Sequence, residues 1–336
     1  MRVVKFTHYS SIIHQILSYS HFSLSRLNFY PWTDETGSND LGYRFFTKEH
    51  VHQRLLVNQY TAIKQLIYNQ LVLALNIYTS NGVILCMGDR KIPLHKVRDD
   101  GRILYISGVA LQLSKSQNST AMEIAGEITA HLLATCSHVF SVQIVPPGWI
   151  HLELTHSTLA AWLQSLTASS AKGNQIIHKP HTTNHNFSSL FAIQYAHARC
   201  CSLIQLAHRE GLIKLSQANT GLDVWSVVSL QPIPWLNCEQ KLRLNHPDEM
   251  CLIGELVQVV DDWEIMDFGS SVNWKKIAMN LSQAFENFWC KCRIWGEVKI
   301  TSPELAQARV GLLMATQFVL RALLEEKLGV VALWEL

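Results

Sequence analysis

Residues 140–154 read FSVQIVPPGWIHLEL. Phe140, Val142 and Ile144 alternate with polar neighbours, and Pro146-Pro147-Gly148 turns the chain. Ile150, Leu152 and Leu154 then alternate with Trp149, His151 and Glu153. Successive strand side chains point to opposite faces, so this stretch predicts two short strands joined by a tight turn. One face is aliphatic and must be covered. The other displays an indole, an imidazole and a carboxylate.

The cover is found on either side. Thr120 followed three residues later by Glu123 is a capping box, and Ala121, Ile124, Ala125, Ile128 and Leu132 form the apolar stripe of the helix it opens. Ile63, Leu66, Ile67, Leu71 and Ala74 recur at helical spacing in a second helix that begins near Gln59. Between these helices, Val83 to Met87 and Ile92 to Val97 read as short strands parted by Gly88-Asp89. A helix bearing Leu159, Trp162 and Leu163 closes the unit near residue 165. The expected class is α+β: an antiparallel sheet covered by helices over 59–165, then an all-α bundle.

Residues 166–187 are mostly small and polar, contain Pro180, and read as a linker. Helices follow. Ile193, Ala196, Cys200, Ile204 and Ala207 form one apolar stripe, and Ile277, Leu281, Ala284, Phe285 and Phe288 form another. The last helix opens at Ser302-Pro303, a cap residue and then proline at the first helical position. It carries Leu305, Ala308, Leu312, Ala315, Val319 and Leu323, and ends at Gly329. These stripes predict a helical bundle over 188–336. Residues 1–58 form a poorly defined extension. The first 33 of them lack Asp and Glu and carry Arg2, Lys5 and Arg26, a weak likeness to an organelle transit peptide.

Composition narrows the function classes. Of 336 residues, 48% are hydrophobic and 16% charged, which describes a globular chain. No run of about 18 apolar residues occurs, so no membrane span is expected. Eight cysteines in this length do not make a disulfide scaffold, and a cytoplasmic location is expected. Residues 1–187 hold 15 Lys and Arg against 10 Asp and Glu, whereas residues 188–336 hold 13 against 16. The halves are therefore +5 and −3, and overall charge does not mark a nucleic-acid binder.

The segment FAIQYAHARCCSLI from Phe191 resembles the opening helix of the DALR anticodon-binding domain of arginyl-tRNA synthetases. LSQAFENFW from Leu281, ELAQAR from Glu304, ATQFVL from Ala315 and LGV from Leu328 resemble later parts of that domain, in family order. VALQLSK from Val109, MEIAGEI from Met122 and PPGWIHLEL from Pro146 are similar to the additional N-terminal domain of the same synthetases, which is associated with the tRNA elbow. In the family a class I catalytic domain with HIGH and KMSKS signatures lies between these parts. Here residues 166–187 alone separate them, while a single βαβ unit needs about 30 residues. No HIGH-like or KMSKS-like string and no glycine-rich phosphate loop occurs. The resemblance thus implies a synthetase relative without an engine: a non-catalytic tRNA-binding protein needing no cofactor.

The resemblance also names residues. Tyr195 and Arg199, four apart on one helix and opposite its apolar stripe, match the tyrosine and arginine that contact the anticodon loop. Trp289 offers another stacking surface, with core packing as its alternative. Trp149 and His151 match the aromatic and amide positions of the elbow-reading strand. His151 replaces the fixed donor and acceptor of an amide with an imidazole. The alternatives are a surface pair without a ligand for Tyr195 and Arg199, and an edge strand shielding its own face for Trp149 and His151. After Ala332 the chain reads Leu333, Trp334, Glu335 and Leu336, where the family often has Pro-Glu-Arg-Met, so arginine-tRNA specificity is in doubt.

Two rival readings stand beside tRNA binding. One is a protein-docking module, favoured by the acidic balance of 188–336. The other is a tRNA-binding subunit serving aminoacylation in trans. No metal site is expected: His178, His181 and His185 have ligand-like spacing but no nearby cysteine. Cys200, Cys201, Cys290 and Cys292 read as small buried hydrophobes, and Asp261-Asp262 and Glu325-Glu326 as solvated helix faces.

Overall fold

The computed structural model describes residues 62–80, 92–99, 101–169, 190–217, 225–227, 233–264 and 272–336. The first half runs α1 (Ile63–Ser80), β1 (Leu94–Val97), β2 (Leu104–Ser107), α2 (Val109–Leu113), α3 (Ala121–Cys136), β3 (Phe140–Val145), β4 (Trp149–Leu154) and α4 (His156–Ser169). The strands form one antiparallel sheet in the order β1-β2-β4-β3. Ile150, Leu152 and Leu154 are buried while Trp149, His151 and Glu153 occupy the opposite face, as the alternation requires. Ile63, Ile67 and Leu71 of α1 join Ile124, Ile128 and Leu132 of α3 in the core beneath. The capping box of α3 is formed: Glu123 N donates to Thr120 Oγ1 at 3.3 Å, and Thr120 N to Glu123 Oε2 at 2.8 Å.

Two differences from expectation stand among the described residues. Strand β2 and the short α2 have too few residues for their periodicity to stand out; the register of β2 between Lys96 and Leu152, both opposite Tyr105, defines the strand. Helix α4 continues to Ser169, past the expected end near 165. The expected strand at Val83 to Met87 lies outside the described residues, as does the His178, His181 and His185 group.

The second half runs α5 (Phe191–Arg209), a hairpin of β5 (Leu215–Gln217) and β6 (Trp225–Val227), then α6 (Pro247–Glu264), α7 (Trp274–Lys291), α8 (Glu297–Thr301) and α9 (Pro303–Ala322). The predicted α5 stripe is buried throughout, and Leu281, Ala284, Phe285 and Phe288 of α7 pack with it. Helix α9 is buried all round from Ala308 to Gln317, which marks it as the central helix. Pro303 sits at its start, although Ser302 makes no side-chain cap bond. Arg309 of α9 donates from Nε to Glu249 Oε1 at 2.6 Å and from Nη1 to the Arg293 carbonyl at 2.5 Å, a buried ion pair joining α6 and α9.

The two halves pack directly, α1 on α6 and α4 on α9. Tyr105 Oη donates to Asp261 Oδ2 at 2.5 Å, and the Lys64 backbone N–H donates to Asp261 Oδ1 at 2.9 Å. Lys96 Nζ donates to the Gly254 carbonyl at 2.6 Å. Gln164 Oε1 accepts from Ile233 N and Trp235 Nε1, and His156 Nδ1 accepts from Leu242 N. The expectation of a solvated Asp261 is therefore corrected: it is 1% exposed, sealed by Tyr105 and the first turn of α1. Glu325 and Glu326 are exposed as expected. Cys200, Cys201 and Cys292 are buried, but Cys290 is exposed because it faces away from the α7 stripe.

Candidate nucleic-acid interface

Helix α5 has two working faces. Ile193, Ala196 and Cys200 bury one side, which leaves Phe191, Tyr195 and Arg199 in a row four residues apart on the other. Phe191 is 58% exposed and Tyr195 43%. Their rings are stacked, with centroids 6.2 Å apart and planes 22° from parallel. One turn further on, the Arg199 guanidinium carbon lies 5.1 Å from the ring centre of Trp289, near the end of α7. Trp295 meets Trp289 edge to face at 5.9 Å. The row thus runs phenyl, phenol, guanidinium, indole.

Arg199 is held by this ring contact, with its Nε buried and lacking a hydrogen-bond partner among the described residues; Trp295 Nε1 is in the same condition. Trp289 is half-buried, so it is neither a core residue nor a free platform. The structure brings Tyr195, Arg199 and Trp289 together, and adds Phe191 and Trp295. Phe191 had a sequence signal, its spacing of four from Tyr195. Trp295 had none, because it follows the end of α7 and no periodicity reaches it.

The buried flank of α5 fixes the course of residues 331–334. Gln194 donates from Nε2 to the Val331 carbonyl at 2.7 Å and accepts from Leu333 N at 3.0 Å. His197 Nδ1 is 2.8 Å from the Leu333 carbonyl, and His197 Nε2 is 2.9 Å from Gln317 Nε2. A carbonyl only accepts, so Nδ1 carries the proton and Nε2 accepts from the Gln317 amide. The Gln317 contact requires the neutral imidazole, whereas the Leu333 contact is made by either protonation state. Burial pushes the His197 pKa down to about 4, in the same direction. Trp334 packs edge-on against this ring at 6.2 Å.

Trp149 and His151 form a second group, on the face of the sheet opposite the buried Ile150 and Leu152. Trp149 is 39% exposed. Its indole rests on Gly108, where an added Cβ would come within 2.8 Å of the ring. Gly148 before it has φ of 144°, and a Cβ there would fall 2.8 Å from the Ala121 Cβ, so the turn can press against the start of α3 only as glycine. His151 is half-buried between Ile106 and Gln143 in register. Glu153 faces Arg102 at 3.4 Å, an exposed and weak pair.

Two exposed rings with an arginine one turn further on suit unstacked bases, which lie on rings and guanidinium planes. Among the described residues no group of three His, Cys, Asp or Glu could hold a metal ion. No helix among them is long and apolar enough to cross a membrane.

Comparison with known proteins agrees for the second half. Residues 193–336 match the DALR anticodon binding domain. The chain is 27% identical over 141 residues to an arginine–tRNA ligase of Ruminiclostridium cellulolyticum, and 31% identical over 143 residues to one of Synechococcus sp. (strain JA-3-3Ab). Each match covers 42% of this chain and 21% of the relative, so the chain spans about a fifth of the curated relatives it matches. No solved structure matches. Residues 193–336 are thus similar to the DALR anticodon binding domain, and Tyr195, Arg199, Trp289 and Trp295 fall inside the matched stretch.

Proposed function

We propose that this chain binds tRNA and does not aminoacylate it. The observation that carries the reading is the row in which the exposed Phe191 and Tyr195 lead to Arg199, held over the half-buried Trp289, three of the four falling inside the matched domain. The row receives bases of the anticodon loop by stacking, each base worth about 1–3 kcal/mol. Trp149 and His151 supply a second contact to the elbow of the same molecule, with the indole as the stacking surface. Neither contact needs ATP or arginine, and no catalytic residue is assigned. Which tRNA is bound, arginine tRNA included, depends on residues 331–336, in which Gln194 and His197 hold the backbone of Val331 and Leu333.

A docking module for another protein is the second reading, favoured by the net charge of −3 over residues 188–336. Phosphate binding normally draws on positive charge. Service to a separate catalytic subunit in trans fits less well, because the first half packs directly onto the bundle through Tyr105, Lys96 and Gln164. Filter binding of tRNA by the full chain separates the first two readings. An ATP-dependent aminoacylation assay, with and without an added catalytic subunit, tests the third.

A further inference from the structure

The central helix does not finish as an α-helix. Leu323–Lys327 continue α9 as one π-helical turn. Such turns are rare and frequently mark functional sites. This one carries Lys327 over two tryptophans from other elements, Trp263 near the end of α6 and Trp274 at the start of α7. The two indoles stand 63° apart with centroids 5.6 Å from each other, forming a wedge. Lys327 Nζ sits in it, 4.2 Å from the Trp263 ring centre and 4.8 Å from that of Trp274. The negative faces of both rings attract a cation. Burial lowers the Lys327 pKa, opposed by the charge of Glu326.

The chemistry of the wedge suits a different guest better than its present one. A primary ammonium carries three N–H donors, and an indole face offers them no lone pair. A methylated ammonium has few or no donors to satisfy, is less strongly hydrated, and spreads its charge over a larger surface against the same two rings. We propose that the Trp263–Trp274 wedge is a recognition site for a methylated ammonium group, occupied in cis by Lys327, whose side chain swings out to admit the guest. A small quaternary amine and a trimethylated lysine on a peptide share this chemistry. The site uses none of the residues assigned to RNA, so it stands or falls apart from that reading.

The test uses the full chain labelled with 15N, following the indole N–H resonances of Trp263 and Trp274 by NMR. Tetramethylammonium chloride is titrated against sodium chloride at matched ionic strength, into wild type and Lys327→Ala. The tethered lysine competes at an effective concentration in the millimolar range. Lys327→Ala should therefore saturate at concentrations about tenfold lower than wild type. Choline and a pentapeptide with a central trimethyllysine, run in parallel, identify the carrier by which binds more tightly. Lys327→Gln serves if the alanine variant loses its fold, and saturation of the wild type at higher concentration supports the site by itself. The proposal is overturned if the indole resonances respond to tetramethylammonium only as they do to sodium. It is equally overturned if Trp263→Phe combined with Lys327→Ala binds as well as Lys327→Ala alone.

Discussion

The hydroxyl of Tyr105 donates to the carboxylate of Asp261 at 2.5 Å across the seam between the sheet and the bundle. The same carboxylate accepts the Lys64 N–H at 2.9 Å, so one buried side chain ties β2, α1 and α6 together. Burial pushes its pKa up to about 6 from an ordinary 3.8. The raised value means that the folded state binds the proton more tightly than the unfolded one. Asp261 therefore contributes most to stability below about pH 4, and that contribution is lost as pH rises through about 6. Asp261→Asn should remove this pH-linked contribution and, because the amide nitrogen cannot accept, should keep only one of the two hydrogen bonds that the carboxylate receives. Asp261→Ala should cost about 1–3 kcal/mol by orphaning the hydroxyl and the N–H. Thermal unfolding of the three proteins between pH 4.5 and 7.5 checks both statements.

His197 works in the opposite sense. Its folded pKa of about 4 lies below the ordinary 6.5, so its contribution is present above pH 6.5 and is lost as pH falls toward 4. His197→Leu should abolish that acid-side loss. At neutral pH it should cost about 1–3 kcal/mol by leaving the Leu333 carbonyl and the Gln317 amide unpaired. Wild type should show a shallow pH dependence between 4 and 6.5 because the two groups oppose each other. Each single variant should uncover the slope of the other group, read by denaturant unfolding at fixed pH values.

Arg309 is a structural residue within the ELAQAR segment. Both Arg309 and Glu249 are buried, and removing one partner strands the other charge. Arg309→Ala should cost about 3–5 kcal/mol. A urea midpoint within a few tenths molar of wild type would contradict the pairing.

Gly108 and Trp149 make a paired prediction for the sheet. Trp149→Ala should weaken binding of whole tRNA and leave binding of an isolated anticodon stem-loop unchanged. Gly108→Ala pushes a methyl group into the indole and should produce the same pattern with the tryptophan still present. Equal losses on whole tRNA and stem-loop would remove the elbow contact.

What the sequence disclosed depended on how local the cause was. The alternation of Ile150, Leu152 and Leu154 needs only six residues, and the Thr120–Glu123 box only four, so both were readable. The stripe from Ile193 to Ala207 and the outward position of Tyr195 follow from a single helical period. Strand β2 was hidden because four residues acquire their identity only from the partners on either side. Asp261 looked like a solvated face because its neighbour is another aspartate, while the groups that bury it lie at Lys64, Lys96 and Tyr105. The resemblance singled out QYAHAR for Tyr195 and Arg199; that Gln194 and His197 hold residues 331–333 depends on contacts about 137 residues away.

Arg199 tests how the row meets phosphate. Arg199→Ala should weaken RNA binding and reduce the slope of log affinity against log salt by about 1. Trp289→Ala should act on the same term, since the indole holds the guanidinium in place, whereas Trp289→Phe should retain part of it. Affinities measured at several salt concentrations read the slope directly.

The most direct measurement of the central claim is filter binding of tRNA to the full chain and to Tyr195→Ala, with circular dichroism confirming that both are folded. Removing one exposed stacking plane from the α5 row should weaken binding by about 5- to 150-fold, equivalent to about 1–3 kcal/mol. Identical affinities for the two proteins, or no tRNA binding by the wild type, would contradict the account and favour a protein partner for this face.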